Sequence, residues 1–286
     1  MQNAAYLLDM PAKRTSCVVF SSPHSGRNYP NGLMKRSILS QDVIRSSEDA
    51  FVDQLFSSAA DHGAPLISAM MPRAYVDLNR SAEELDPALI QGARRQGHNP
   101  RVASGLGVIP RVVANGREIY RGKLTMDEAR LRIDTCWRPY HARIKSLLAE
   151  SHQEFGQAIL IDCHSMPHEA VALASTVNSR RPEIVLGDRF GASAAPEVVE
   201  QIEAAFVSAG LSVARNTPFA GAYVTQTYGR PSRHQHAVQI EIDRSLYMDE
   251  SRIEPNDNFA AFKETLGEII MDIARIGPEP LQLAAE

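Results

Sequence analysis

Two short apolar runs in this chain each end abruptly in a histidine: Val18 to Pro23 leads to His24, and Ala158 to Asp162 leads to His164. An acidic pair, Glu48-Asp49, lies between them. Short apolar runs rich in β-branched residues read as buried strands, and open α/β folds place ligand chemistry at the carboxyl ends of strands. Two imidazoles and one carboxylate, each from a separate strand end or helix start, would hold a zinc ion and leave one position open for water. That is a hydrolase's equipment. Either histidine alone is better explained by a structural hydrogen bond or by exposure. The combination carries the reading.

The positioning elements follow from periodicity and turn signals. Cys17 to Phe20 predicts a first strand, and the loop Ser21 to Pro30 carries His24 at its corner. Ser46 or Ser47 can cap a helix whose apolar positions Val52, Leu55, Phe56, Ala59 and Ala60 run to Gly63, placing Glu48 and Asp49 in its first turn. The helix dipole favours carboxylates there by ~0.3 to 1 kcal/mol, an ordinary structural reason for the pair. Pro65 to Ala69 predicts a second strand and Tyr75 to Leu78 a short third, leading into Asn79-Arg80. A loop insertion around residues 81–125 follows, long enough to act as a lid or binding loop. Asp127 to Phe155 keeps a helical period, with Pro139 expected to kink it and Gly156 to end it.

Ala158 to Ile161 is then the strand delivering His164, Glu183 to Leu186 and Leu211 to Ala214 are further strands, and Ala194 to Ala209 is a helix closed by Gly210. Ala237 to Ile242 reads as a final core strand carrying Glu241, and Asn258 to Ile276 as the terminal helix. The glycine-rich Asn216 to Arg233 stretch leaves a hairpin or loop open, and with it antiparallel pairing among the last strands. The pattern predicts a single α/β domain over residues 1–286, a three-layer α/β/α sandwich with a mostly parallel, mixed central sheet.

Composition narrows the function classes. A net charge of -4 leaves no basic footprint, and Arg94-Arg95 and Arg180-Arg181 are isolated pairs, so a small molecule is expected as partner rather than nucleic acid. Acidic Asp9 interrupts the first apolar stretch and no basic segment precedes it, which does not describe a secretory signal, and no run reaches transmembrane length. Three cysteines, Cys17, Cys136 and Cys163, lack zinc-site spacing and predict free thiols in the cytoplasm.

Other residues fit around the trio. Glu241 lies in an otherwise apolar strand, where an ionised carboxylate is costly to bury unless a cation compensates it; its structural alternative is an ion pair with Arg244 or Arg80. Asp162, two residues before His164, could share its face and orient the imidazole, or cap a neighbouring loop. Cys163 would point to the opposite face, against a thiol–imidazole pair. Ser22, Ser25 and Ser165 sit in no Gly-x-Ser-x-Gly elbow. His234 and His236 read as loop or surface residues.

Six segments in order resemble the N-formylglutamate amidohydrolase family: Ser22 to Gly26, Tyr75 to Arg80, Pro139 to His141, Ile161 to Pro167, Asn216 to Gly221 and Gln239 to Asp249. The resemblance runs nearly end to end and implies a zinc-exopeptidase-like fold, related to the zinc carboxypeptidases and aspartoacylases. It implies Zn2+ held by His24, Asp49 and His164, with Glu48 as the alternative to Asp49. It implies Glu241 as the residue that moves the proton from water to the leaving amine. Asn79 and Arg80 resemble the pair that grips a substrate carboxylate in related deacylases, for which a planar guanidinium is suited; an Asp77-Arg80 surface pair is the structural alternative. A substrate with two carboxylates wants a second cation, and Arg73, Arg230 or Arg244 could supply it, Arg244 first because it follows Glu241 in the motif. The chain departs from the family pattern at Phe51, where some members carry histidine, and at Gly221-Ala222, which replaces a glycine pair.

The implied activity is zinc-dependent release of formate from N-formyl-L-glutamate, a step of histidine catabolism. Two rivals remain: a deacylase for another N-acyl amino acid or small peptide, and a metal-free protein that binds an acidic metabolite.

Overall fold

Short β-branched runs alternating with amphipathic helices build a seven-stranded mixed sheet with flanking helices. The computed structural model describes residues 4–94, 97, 99–172 and 181–278; Arg95 and Arg180, one from each arginine pair, lie outside them. The strands are β1 (Tyr6–Asp9), β2 (Val18–Ser22), β3 (Leu66–Ala69), β4 (Ala158–Met166), β5 (Ile184–Gly187), β6 (Val213–Arg215) and β7 (Gln235–Asp243), in the order β1-β3-β2-β4-β7-β5-β6. β2, β4 and β7 run parallel, β5 pairs antiparallel with β7, and β6 lies parallel to β5. The antiparallel pairing left open by the sequence is therefore present. β4 is buried at all nine positions, as expected of a central strand covered on both faces. β1, at the sheet edge, alternates between exposed and half-buried, which explains why its weak pattern was not legible as a strand.

The chain groups into two compact units. The first comprises Met1–Leu7, Pro23–Ala50 and Ser68–Arg143; the second comprises Leu8–Ser22, Phe51–Ile67 and Ile144–Glu286. The second contains the strands from β4 to β7 and the helix Phe259–Ala274, which buries Phe262, Leu266, Ile269, Ile270 and Ile273 along one stripe. Each such side chain contributes roughly 1.5–3 kcal/mol on burial.

Several local expectations need correction. Tyr75 to Leu78 is not a strand; it is a turn followed by irregular backbone. Glu48 and Asp49 do not lie in a helical first turn: they are irregular backbone between a 3-10 turn, Arg45–Ser47, and a short helix, Val52–Leu55. Phe51, at φ 66°, makes the break. A bulky residue pays about 1–3 kcal/mol for that conformation, and the helix-dipole explanation for the acidic pair is removed. Asn216 to Arg233 holds a helix, Tyr223–Tyr228, and a 3-10 turn, Pro231–Arg233, across which Arg230 and Gln235 make an isolated antiparallel bridge. Among its described residues the excursion after Arg80 carries an α-helical turn, Pro100–Ala103, capped by Asn99, and a 3-10 turn, Ala114–Gly116.

The helical stretch expected to kink at Pro139 is interrupted by a π-helical turn just before it. A capping box formed by Thr125 and Glu128 starts the helix Met126–Arg132. A π-helical turn, Ile133–Trp137, follows, with the Arg138 N–H bonded back to the Ile133 carbonyl, and Arg138–Phe155 continues as α-helix. Proline crowds the carbonyl four residues earlier, and a widened turn just before it relieves that clash.

Candidate active site

In the first unit His24 sits just past the end of β2, in the turn Ser22-Pro23-His24-Ser25-Gly26. A Cβ at Gly26 would stand 2.1 Å from the Met71 carbonyl oxygen, so this turn closes only with glycine. The His24 ring is buried; its Nε2 is 2.8 Å from Asp77 Oδ1 and its Nδ1 is 3.4 Å from Asp49 Oδ2. The Asp49 N–H donates to the His24 carbonyl at 3.1 Å, tying the two residues together. With Asp77 ionised, a neutral His24 ring would donate from Nε2 and turn its Nδ1 lone pair toward the Asp49 carboxylate. Two electron-rich atoms facing each other in a buried setting suit an intervening cation.

The surface Asp77-Arg80 pair, the structural alternative to a carboxylate clamp, does not describe Asp77. It is buried, not on the surface, and its bonded arginine is Arg73, whose Nε donates to Oδ2 at 2.9 Å. Its Oδ1 also accepts the Asn79 N–H at 2.8 Å. Burial pushes its carboxyl pKa up, but Arg73, His24 and Arg80 outweigh that and hold it well below the usual carboxylate range. Its visible signal was its position four residues after Arg73 and two before Asn79. Arg73 is thereby engaged.

Glu48 faces other partners. Tyr29 donates to Oε1 at 2.6 Å, and Arg45 Nε lies 3.1 Å from the same oxygen. Burial, then the neighbouring Glu48, pushes the Tyr29 hydroxyl pKa upward, so it stays a donor.

In the second unit, β4 carries Asp162 and His164 on one face, with Asp162 Oδ2 3.0 Å from His164 Nε2. The parallel register sets His164 beside Glu241 of β7 as Cα partners. Gln239, on the same face of β7, donates to Glu241 Oε1 at 2.6 Å. Cys163 is buried with its Sγ bonded to the Ile161 carbonyl, and burial followed by the Asp162 charge pushes its thiol pKa well up. It is no nucleophile at neutral pH. Arg244, in the 3-10 turn after β7, is buried; its Nε donates to Ser165 Oγ at 3.2 Å and its Nη1 lies 3.6 Å from Glu250 Oε2. Arg230 is exposed and its Nη1 donates to the carbonyls of Gln226, in the helix Tyr223–Tyr228, and of Gly229 just after it. His236 is buried, correcting its reading as loop or surface: its Nδ1 accepts the Ala195 N–H at 3.2 Å, serving the start of the helix Pro196–Ser208. His234 is exposed.

His24, Asp49 and His164 are all buried, and each offers one ligand atom, these atoms lying within 4.8 Å of one another. Two imidazoles, each with its other nitrogen beside a carboxylate, and one carboxylate form a donor set that suits a divalent metal. A family model described as N-formylglutamate amidohydrolase matches residues 16–248. This chain belongs to the N-formylglutamate amidohydrolase family. Among relatives in that family, an N-formylglutamate deformylase of Pseudomonas aeruginosa is 32% identical over 236 residues, 82% of each chain. One from Pseudomonas putida is 29% identical over 237 residues, again 82% of each. The crystal structure of an N-formylglutamate amidohydrolase from Ralstonia eutropha JMP134 superposes with a TM-score of 0.87 at 33% identity, covering 94% of this chain and 96% of that one.

In this member of the N-formylglutamate amidohydrolase family, Arg80 belongs to the first unit. It is buried, and its Nε and Nη1 donate to the carbonyls of Leu106 and Asn79 at 3.1 and 2.8 Å. Both partners are neutral, so they aim the fork without matching its charge. Burial holds the guanidinium pKa below its ordinary value, and Asp77 offsets only part of that shift.

Proposed function

We propose that this amidohydrolase releases formate from N-formyl-L-glutamate, with zinc held by His24, Asp49 and His164. The observation that carries the metal reading is the buried trio of ligand atoms, with Asp77 and Asp162 beside the remaining imidazole nitrogens. Glu48 is the weaker candidate ligand because its carboxylate is engaged by Tyr29 and Arg45. When bound, a divalent ion there supplies Lewis acidity, polarising a carbonyl and making water acidic enough to attack near neutral pH.

The protein's own groups do the rest. Glu241, adjacent to His164 across the β4–β7 pair, takes the proton of the attacking water and returns it to the leaving amine. Gln239 fixes the Glu241 carboxylate for that transfer. Arg80, backed by Asn79, binds one carboxylate of the substrate in a two-pronged contact, and Arg244 binds the other. N-formylglutamate has two carboxylates, which these two buried arginines match, and the deformylases of Pseudomonas support the same substrate.

The test is Glu241→Gln, assayed for formate release and metal content. The variant should keep its metal and lose nearly all turnover. A near wild-type rate would remove Glu241 from the chemistry.

A further inference from the structure

The segment Tyr75 to Arg80 holds Asp77, Asn79 and Arg80, yet it has no regular secondary structure to satisfy its carbonyls. Buried carbonyls without a partner are costly, so something outside the segment must fix it. Three side chains of one helix do so. Arg132 Nη1 donates to the Tyr75 carbonyl at 3.1 Å, His141 Nε2 is 2.9 Å from the Leu78 carbonyl, and Trp137 Nε1 donates to the Arg80 carbonyl at 2.9 Å. The Arg132 guanidinium also lies over the Tyr75 ring at 4.3 Å, and the Trp137 and His141 rings lie against each other, tilted by 35°, with centroids 4.0 Å apart.

The spacing of the three residues is informative. Arg132 and Trp137 are five apart and Trp137 and His141 four apart. Residues five apart in an α-helix lie well round the cylinder from each other, so Arg132 would leave the stripe. The π-helical turn Ile133–Trp137 absorbs the extra residue, because one turn of that geometry returns to the same face after about five positions.

We infer that the π-turn aligns Arg132, Trp137 and His141 as a row of donors that positions the Tyr75–Arg80 segment, and that Trp137 and His141 are thereby positioning residues for the Arg80 carboxylate clamp. The inference rests on the clamp role proposed above for Arg80. Trp137 grips the carbonyl of Arg80 itself, while the Arg80 Nη1 holds the carbonyl of Asn79, so loss of the indole N–H loosens the backbone from which the fork is aimed.

The test compares Trp137→Phe, which keeps an aromatic ring and removes the donor, with His141→Phe and the donor-retaining His141→Gln, in the full-length metal-loaded protein. Each is assayed on N-formyl-L-glutamate in wild-type and Arg80→Lys backgrounds, alongside amide exchange over residues 75–80. Trp137→Phe should raise KM about tenfold with a smaller change in kcat, as expected for losing one buried hydrogen bond that aims a binding group. It should speed exchange over 75–80 and add little further loss in the Arg80→Lys background. His141→Gln should lie closer to wild type than His141→Phe. Unchanged KM, or a penalty of equal size in both backgrounds, would overturn the inference. If the wild type fails to release formate, the substrate reading fails by itself; the row of donors is then decided by exchange alone, supported by faster exchange in Trp137→Phe and overturned by exchange like wild type.

Discussion

Asp77→Asn is the perturbation that probes the metal reading through a residue outside the trio. In the wild type, Asp77 Oδ1 lies 2.8 Å from His24 Nε2 while Oδ2 accepts from Arg73 at 2.9 Å, both in a buried setting. An amide of the same shape is neutral, and whichever way it is turned it offers only one oxygen to these two donors. One charge-assisted bond of about 1.5–3 kcal/mol is lost, and the imidazole becomes less basic and less firmly oriented. At about 1.4 kcal/mol per factor of ten, zinc affinity should fall by roughly 10- to 100-fold. The assay is competition for zinc against a chromophoric chelator, with the circular dichroism of the zinc-free variant confirming its fold. Asp162→Asn should give a loss of similar size through His164. If a folded Asp77→Asn protein held zinc as tightly as the wild type, His24 would not be acting as a ligand oriented by Asp77.

Three further outcomes follow from the same geometry. Arg80→Lys keeps the charge and loses the planar fork, so KM for N-formyl-L-glutamate should rise by roughly tenfold or more in steady-state kinetics. Asp49→Asn should weaken zinc binding strongly and Glu48→Gln should not, as read by elemental analysis after dialysis. Burial, partly offset by the Cys17 backbone and Arg14, pushes the Cys17 thiol up to about 11. A raised thiol value means its stabilisation is complete below the unfolded value of roughly 8.5 and is lost as pH rises through the folded value. Cys17→Ser should therefore flatten the alkaline limb of the stability curve between those pH values in urea titrations.

The sequence made strands legible wherever burial on both faces produced unbroken apolar runs, as in β4 and β7, and helices wherever a stripe was long, as in Phe259–Ala274. It also made the candidate ligands legible, because a polar residue ending or interrupting such a run stands out. What it hid was decided by contacts distant in the chain. Tyr75 to Leu78 has strand-like residue types, yet its carbonyls are taken by Arg132 and His141 rather than by a neighbouring strand. The role of Asp77 beside a candidate ligand was hidden because nothing nearby in sequence announces that His24, 53 residues earlier, lies against it. The break at Phe51 was equally silent, since a positive φ in an aromatic residue runs against local preference.

The most direct measurement is formate release from N-formyl-L-glutamate by the protein as purified, after exhaustive chelation, and after zinc is returned. Activity should disappear on chelation and return at one zinc per chain. Undiminished formate release by a protein shown to be free of metal would contradict zinc dependence.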